Sequence, residues 1–464
     1  MGGFLSPALL TGIRNAVWSP VLIGLCLAAG LYFSFKTNFV QIRHFKNLLR
    51  IIFKKSDDSS GISSFQAFCV SISGSIGTGN IVGVATAIAF GGPGALFWMW
   101  LIAFLGAASA FAEAVLAQKY KVLDKGDYIG GPAYYIKNGL KSKVLSVIIA
   151  LCMVFSCGFV IPGVQANAIS VSVASLGASN LHIIGIALCM VVLLVIIGGI
   201  KRIGLITGVI APFMTFFYML GAVLLILFNL PRLPEVLSQI FAGALGFDTA
   251  LAGILGSTIS WGIQRGIHTN EAGQGTAAHS AAAANVAHPV EQGLMNAFGV
   301  FLDTIIICTA TGLAILITNS YNIFSQDGGV IKQLLPQSGL NAAFSLDYAQ
   351  AAFCSMFGQF GKIFVALSLI LFAFATLLSY FFLLETNLYF LVKRRRVCKV
   401  LCMLIYLFSV YQGSIQPSRT AWILGDIGVG ITAYINLVVI LFMSKEVFAL
   451  LKDYDLTTLP DRGF

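Results

Sequence analysis

Long apolar stretches recur along the whole chain, and they limit the fold more than any other feature of the sequence. A helix needs about 20 predominantly apolar residues to cross a ~30 Å hydrocarbon core. The composition agrees, since 58% of the 464 residues are hydrophobic and only 10% are charged. We therefore predict an all-α polytopic membrane protein, with one transmembrane domain over residues 1–464 and about 11 helices. The predicted spans are 17–35, 65–90, 95–117, 144–173, 181–199, 203–229, 248–264, 293–318, 361–391, 398–413 and 420–443.

The distribution of charge predicts the orientation of these spans. The net charge of +10 comes from lysines and arginines that cluster in alternate connections, as expected for cytoplasmic loops. This pattern places the N-terminus outside and the C-terminus in the cytoplasm of a plasma (inner) membrane, and it argues against a nucleic-acid partner. Basic residues, rather than a small-residue cleavage site, follow the first apolar run, so we predict a retained span. Most of the nine cysteines lie inside apolar runs, which argues against a disulfide framework or metal site.

The order of the spans predicts an internal repeat. A first span and a basic cytoplasmic loop occupy residues 17–64, and two groups of five spans follow at 65–229 and 248–443. The first group starts from the cytoplasm and the second from outside, which is the arrangement of an inverted repeat. Each group opens with a polar, glycine-interrupted segment, and such segments in corresponding positions point to a transporter's binding site.

The second predicted span is interrupted by small and polar residues in its middle, although its flanks are apolar. Glycine loosens a helix because it loses the most backbone entropy on folding and accepts unusual backbone angles. A helix broken inside a bilayer must re-satisfy its freed N–H and C=O groups, and a bound ligand or ion can do so. Freed N–H groups and the positive helix end suit a substrate carboxylate. We predict that this carboxylate binds at Gly77, Thr78, Gly79 and Asn80.

The same stretch has two other interpretations. The Gly79-x-x-x-Gly83 spacing also fits a small-residue face that packs on a neighbouring helix, and the sequence leaves this alternative open. The spacing of Gly77, Gly79 and Gly83 resembles a dinucleotide fingerprint, which requires a preceding strand and a βαβ unit. Long apolar runs flank the stretch on both sides, so a nucleotide site is excluded.

Polar groups on other spans complete the predicted site. Gln165 and Asn167 in the fourth span offer acceptors for an ammonium group, or hydrogen bonds between helices. Thr376 in the ninth span offers a hydroxyl for a sodium ion, or a bond to its own helix. Asp303 in the eighth span is either a structural anchor or part of an ion path, because intramembrane carboxylates are functional candidates by default.

An enzyme is the less favoured reading. The three histidines after residue 264 lack the spacing of a membrane metalloprotease, and no serine-nucleophile motif is present. We expect these histidines in a polar cytoplasmic segment; they are His268, His279 and His288.

Several motifs together resemble the alanine/glycine:cation symporter family. They run in family order from the first span to the eleventh: Gly77-Thr78-Gly79-Asn80, Gly91-Gly92-Pro93-Gly94, Phe97-Trp98-Met99-Trp100, Gln165-Ala166-Asn167, Asn270-Glu271-Ala272-Gly273, Asp303-Thr304, Cys308-Thr309 and Phe372-Ala373-Phe374. The resemblance implies a leucine-transporter-like fold with broken helices. It also implies sodium- or proton-driven uptake of small neutral amino acids, chiefly alanine and glycine, across the plasma membrane.

The resemblance also assigns residues. It places the substrate carboxylate at Gly77 to Asn80 and supports a sodium site near Gly74, Ala373 and Thr376. We group Gln165, Trp261, Thr376 and Tyr380 with the substrate site as well. The family commonly has Gly-Trp where this chain has Ser379-Tyr380, so the size of the pocket, and with it the acceptance of serine, depends on Tyr380.

The predicted function is therefore sodium-coupled symport of small neutral amino acids by alternating access. The site would lie between spans two, four, seven and nine of a protein embedded in the lipid bilayer. A proton-coupled symporter and an uncoupled facilitator or channel are the alternatives. A channel needs a continuous polar pore, which the few intramembrane charges disfavour.

Overall fold

The computed structural model describes residues 6–45, 48, 51, 62–124, 126–178, 180–248, 251–336 and 338–458. Helices dominate, and eight of them are long and apolar enough to cross a membrane in this described part. The prediction of an all-α polytopic membrane protein is confirmed. The predicted second and seventh spans are each divided into shorter helices, and the fifth is the 16-residue helix Leu181–Ile196. The number of eleven spans stays a prediction.

The described residues of the first part of the chain include eleven α-helices with defined bounds and one hairpin. In order they are α1 (Pro7–Val17), α2 (Pro20–Lys36), α3 (Val40–Arg43), α4 (Ser64–Ser75), α5 (Val82–Gly91), α6 (Ala95–Lys119), β1 (Val122–Asp124), β2 (Asp127–Ile129), α7 (Pro132–Asn138), α8 (Lys143–Phe155), α9 (Ile161–Ser175), α10 (Leu181–Ile196) and α11 (Gly199–Phe228). β1 and β2 pair antiparallel, with Leu123 opposite Tyr128. A π-helical segment, Ser156–Val160, joins α8 to α9, so one long span carries a local widening.

The second part of the chain is also mainly helical and contains a second β-hairpin. In order its elements are α12 (Leu233–Leu245), α13 (Leu255–Asn270), α14 (Ala277–Ala283), α15 (Pro289–Val300), α16 (Thr309–Ile317), β3 (Asn322–Phe324), β4 (Val330–Gln333), α17 (Asp347–Phe357), α18 (Gln359–Val392), α19 (Arg395–Ile415), α20 (Ser418–Phe442) and α21 (Ser444–Thr458). β3 and β4 pair antiparallel. A π-helical segment, Phe301–Cys308, joins α15 to α16.

The second span is broken where the glycines predicted it. α4 ends at Ser75, Gly77 adopts an extended conformation with φ −139° and ψ −145°, and a 3₁₀ turn covers Thr78–Asn80 before α5 begins. The turn is completely buried. The predicted discontinuous helix is therefore confirmed, and its break lies inside the protein.

The helix of the seventh span extends beyond residue 264, where the sequence analysis placed its end, and the break follows Asn270. α13 continues through the polar residues to Asn270, and the chain then turns at Glu271, Gly273 and Gly275, whose φ angles are 59°, 79° and 82°. α14 follows. His268 and His279, expected in a cytoplasmic segment, are buried. That expectation was wrong for them, because hydrogen-bond partners from distant helices satisfy this polar block inside the protein.

Packing brings the two breaks together. α6 packs against α13 and α15, and α9 packs against α18, α19 and α20, so the broken helices lie in the middle of the bundle. The outer faces of α10 and α11 expose large apolar side chains, including Ile183, Val209 and Phe216. Such faces suit contact with lipid. The inverted relation between residues 65–229 and 248–443 stays a prediction.

Candidate functional site

The break in the second span leaves two backbone N–H groups that point at side chains. The Gly77 N–H donates to Asn80 Oδ1 at 2.9 Å, and the Thr78 N–H donates to Gln165 Oε1 at 3.2 Å. Gln165 reaches the break from α9 and is buried. The two backbone N–H groups at the break are therefore hydrogen-bonded to amide side chains. An anionic ligand could replace these side-chain oxygens as the acceptor.

Asp303 lies beside this cradle on the π-helical segment of the eighth span. Its Oδ1 accepts a 2.6 Å hydrogen bond from Asn80 Nδ2, and its Oδ2 accepts a 2.8 Å bond from Thr304 Oγ1. The carboxylate is fully buried, and no ion pair to it is found in the described part of the chain. Burying an ionised carboxylate without a cation is costly. The site is thus suited to a small hard cation, which prefers oxygen ligands of this kind.

Thr376 from α18 closes the other side of the break. Its Oγ1 donates to the Ile76 carbonyl oxygen at 3.3 Å and to the Phe372 carbonyl oxygen at 3.1 Å. The first bond satisfies a carbonyl that the broken helix leaves without an intrahelical partner. Ala373, three residues earlier on α18, is also buried. Thr376 therefore makes the predicted bond to its own helix and also bonds the break, and its role as a sodium ligand stays a prediction.

Glu271 is the main site residue that the sequence analysis missed. Its carboxylate accepts hydrogen bonds from the Tyr380 hydroxyl and, at 2.7 Å, from Thr276 Oγ1. A Cβ added to Gly74 would lie 3.6 Å from Glu271 Oε2, so the two broken spans touch here. The sequence analysis identified a polar, glycine-interrupted segment at the start of the second group of spans, but it assigned no role to Glu271.

Not all of the remaining residues that the sequence analysis assigned to the site lie at the break. Asn167 donates to the carbonyl oxygens of Gly413 and Gln416, so it joins helices as its alternative interpretation proposed. Trp261 lies eight residues before Thr269 on α13, which is about 12 Å along the helix axis. The structure places Trp261 apart from the break, and it connects Tyr380 to the break through Glu271. The predicted residues that lie together at the break are Gly74, Gly77, Thr78, Gly79, Asn80, Gln165 and Thr376.

Trp261 belongs to an ionic cluster around Asp426. Arg265 binds both carboxylate oxygens of Asp426, at 2.8 and 2.9 Å, and Arg14 Nε lies 3.2 Å from Oδ2. His268 Nδ1 lies 3.3 Å from Oδ1. The Arg14 guanidinium sits 4.4 Å from the Trp261 ring centroid, which is within cation–π range. This cluster ties the N-terminal helix α1 to α13 and α20.

The glycines of the break differ in how closely their neighbours approach. A Cβ on Gly77 would lie 2.5 Å from Thr376 Oγ1, and one on Gly79 would lie 2.7 Å from Thr269 Cγ2. A Cβ on Gly83 would meet nothing nearer than 3.7 Å. Gly79 therefore packs tightly on α13 as a small-residue contact would, whereas Gly83 does not.

We expect Gly77→Ala to lower substrate uptake by at least about 10-fold, because the new methyl group would displace Thr376 from the break. Gly83→Ala is the matched control, and uptake should stay within about twofold of wild type since the added methyl group has ordinary contact distances. Initial rates in proteoliposomes with equal amounts of inserted protein measure both effects. Equal losses in the two variants would show that the stretch is only a packing face.

This fold and site define a class of protein. Two helices are broken close to each other, polar side chains from neighbouring helices contact the breaks, and the described residues provide no cationic partner for the Asp303 carboxylate beside them. That is the construction of a secondary transporter.

The chain belongs to the sodium:alanine symporter family, whose model matches residues 5–460. This is a family of transporters and not of enzymes, so the resemblance drawn from the motifs is confirmed.

Three relatives from bacilli show the range of the family. A Bacillus subtilis protein named as a candidate sodium/proton-dependent alanine carrier, YrbD, is 44% identical over 96% of this chain and 92% of its own length. A sodium/proton-dependent alanine carrier protein of Bacillus sp. strain PS3 is 38% identical over 88% of this chain and 91% of its own length. A B. subtilis protein named as a candidate sodium/glutamine symporter, GlnT, is 38% identical over 96% of this chain and 90% of its own length. Overall identity therefore does not choose between alanine and glutamine.

Proposed function

We propose that this protein carries small neutral amino acids into the cell together with sodium, by alternating access across the plasma membrane. The observation that carries the proposal is the broken second span, where Asn80 links a freed backbone N–H to the buried carboxylate of Asp303. One side chain thus joins a group that can bind a substrate carboxylate to a group that can bind a cation. We further propose the orientation with the N-terminus outside and the C-terminus in the cytoplasm.

The substrate is proposed to bind with its carboxylate at the 3₁₀ turn of the break. The backbone N–H groups of Gly77 and Thr78 are held by amide oxygens, which a carboxylate oxygen can replace as acceptor. Gln165 Oε1, once released from Thr78, is an acceptor for the substrate ammonium group. Since Thr376 Oγ1 and Gln165 Oε1 would lie within 2.5 and 3.1 Å of a Cβ on Gly77, little room remains beside the break. This crowding favours alanine, glycine and serine over glutamine.

Sodium is proposed to bind at two groups of oxygens near the break. Asp303 with Thr304 offers a carboxylate and a hydroxyl. Thr376, with backbone oxygens around Gly74 and Ala373, offers the second set, as the family resemblance implied. Hard oxygen ligands in a buried site suit sodium by analogy with other hard cations. A proton could serve as coupling ion instead, and the PS3 relative is named as dependent on both ions.

The closed packing of the break favours a transporter over a channel. The turn Thr78–Asn80 and the neighbouring Thr376 are buried, so the described residues show no open polar path through this point. Release of a solute bound here therefore requires a rearrangement of the helices. Alternating access is the mechanism that this arrangement supports.

The decisive experiment is uptake into proteoliposomes. An inward sodium gradient should concentrate alanine inside the vesicles, and unlabelled glycine and serine should compete better than glutamine. A pH gradient without sodium separates the proton-coupled alternative. Equilibration of alanine without concentration under every gradient would show an uncoupled facilitator and overturn the proposal.

We expect Thr376→Val to weaken sodium activation and to change the maximal rate less. The substitution keeps the shape of the side chain but removes the hydroxyl oxygen, leaving the Ile76 carbonyl unsatisfied. The expected cost of about 1–3 kcal/mol corresponds to a rise in the half-activating sodium concentration of roughly 5- to 150-fold. Thr457→Val, on the exposed helix α21, is the control. An unchanged sodium dependence would remove Thr376 from the cation site.

A further inference from the structure

A cavity lies away from the two breaks, between the N-terminal helix and the Trp261 face of α13. Its volume is about 320 Å³, which is within the usual range of small-ligand pockets. Its walls come from α1, from the connection that contains Gln326, and from the start of α20 at Arg419. The proposed orientation places all three of these segments on the outer side of the membrane. The cavity is therefore positioned where a solute arrives from outside.

The wall of this cavity carries an excess of positive charge. Asp426 is its acidic lining residue, and both oxygens of that carboxylate are already bound by Arg265, with Arg14 beside Oδ2. Arg419 also lines the cavity, and the described part of the chain shows no ion pair for it. Two guanidinium groups thus contact the Asp426 carboxylate, and Arg419 adds a further positive charge to the cavity wall. A further carboxylate would complete the charge balance, and arginine is well suited to bind it through paired hydrogen bonds.

Gln264 supplies an independent sign of a missing ligand. The side chain lines the cavity and is 1% exposed, and its Oε1 accepts a 2.9 Å bond from Arg14. Its Nε2 is buried and has no hydrogen-bond partner among the described residues. A buried donor of this kind is costly unless a ligand or water satisfies it. An acceptor oxygen in the cavity would do so.

We propose that this cavity is an outer binding site for an amino-acid substrate, whose carboxylate binds Arg419 and the Gln264 amide before the substrate reaches the broken helices. The proposal rests on the proposed transport function and extends it. The aromatic ring of Trp261, stacked on Phe90 with centroids 4.7 Å apart, forms part of the cavity wall on the α13 side. Because a neutral amino acid carries no net charge, Arg419 would hold it by a local, paired hydrogen bond to its carboxylate.

Binding of labelled alanine to purified protein in nanodiscs tests the site directly. The Asn80→Leu background disables the proposed central site, so any remaining binding reports the outer one. We expect weak, sodium-independent binding in this background, and a decrease of at least about fivefold when Arg419→Gln is added. Arg419→Lys should retain part of the binding because it keeps the charge. Arg232→Gln, on the same proposed side and outside the cavity, should leave it unchanged.

The competitors distinguish an amino-acid site from a general anion site. Unlabelled glycine should displace the alanine, whereas equal concentrations of acetate or chloride should not. Displacement by chloride as effective as that by glycine, or alanine binding that does not depend on Arg419, would overturn the proposal. In the chain with Asn80 intact, Arg419→Gln should raise the KM for uptake by roughly 3- to 10-fold at low ionic strength, with a near-normal maximal rate.

Failure of this inference can be told from failure of the transport function. Sodium-driven accumulation by the wild-type protein, together with no Arg419-dependent binding, would reject the outer site alone. Absence of accumulation by the wild-type protein would reject the transport function itself.

Discussion

Replacement of Asn80 by leucine is expected to lower alanine uptake by at least about 100-fold while the protein still folds and inserts. Asn80 uses its amide oxygen for the Gly77 N–H and its amide nitrogen for the Asp303 carboxylate. Leucine is similar in size but offers neither group, so two buried partners lose a bond. At about 1–3 kcal/mol for each unsatisfied group, a 100-fold effect follows.

The measurement is the initial rate of alanine uptake in proteoliposomes, normalised to inserted protein. Asn229→Leu is the control, because this asparagine bonds only within its own helix end, far from the break. Thermal unfolding in detergent checks that the Asn80 variant is folded. Retention of alanine affinity within a few-fold of wild type would show that the break only serves packing.

The Asp303→Asn variant is expected to lose sodium-driven concentration of alanine. The substitution keeps the size of the side chain, can still accept from Asn80 through its amide oxygen and can donate to Thr304 Oγ1 through its amide nitrogen, but it removes the negative charge. A buried carboxylate for which the described residues provide no ion pair attracts a cation strongly. We expect the half-activating sodium concentration to rise by at least about 10-fold, which corresponds to about 1.4 kcal/mol.

Uptake measured as a function of external sodium, with labelled sodium flux in parallel, tests this expectation. Asp347→Asn at the start of α17 is the control, because Asp347 is exposed and lies outside the site. Normal sodium activation in the Asp303 variant would assign Asp303 a structural role and leave the group around Thr376 as the cation site.

The side chains of Asn80 and Asp303 are joined by a hydrogen bond of 2.6 Å, so the effects of the two substitutions should be coupled. Occupation of the cation site would hold the Asp303 carboxylate in place, and the carboxylate would in turn hold Asn80 beside the freed Gly77 N–H. This contact is a short physical route by which a cation can influence the affinity for a substrate. Coupling of this kind is reciprocal, so the substrate should raise sodium affinity by the same factor.

Tyr380 illustrates a prediction from the sequence that the structure modifies. The sequence analysis expected this side chain to limit the size of the substrate. In the structure its hydroxyl donates to Glu271, which connects α18 to the second broken helix. Its effect on substrate choice stays a prediction, and a Tyr380→Phe variant would test the hydroxyl without changing the size of the ring.

The sequence by itself determined the class of the protein and the position of the first break. Both follow from local properties, since hydropathy over about 20 residues predicts a span and glycines within such a run loosen its helix. The glycines and polar residues from Gly74 to Asn80 are contiguous in the chain, so the break at this point could be predicted without a fold. The family motifs could be recognised for the same reason.

Only the tertiary structure decided which polar groups are buried and which partners satisfy them. Arg265 and Asp426 are separated by 161 positions, Arg14 and Asp426 by 412, and Asn80 and Asp303 by 223. Hydropathy along the chain placed Arg265 just beyond the end of the seventh predicted span, because a charged group alone is too costly to bury. Pairing across the bundle offsets this cost. It therefore places the polar end of α13 and the turn at Glu271 inside the protein rather than in the cytoplasm.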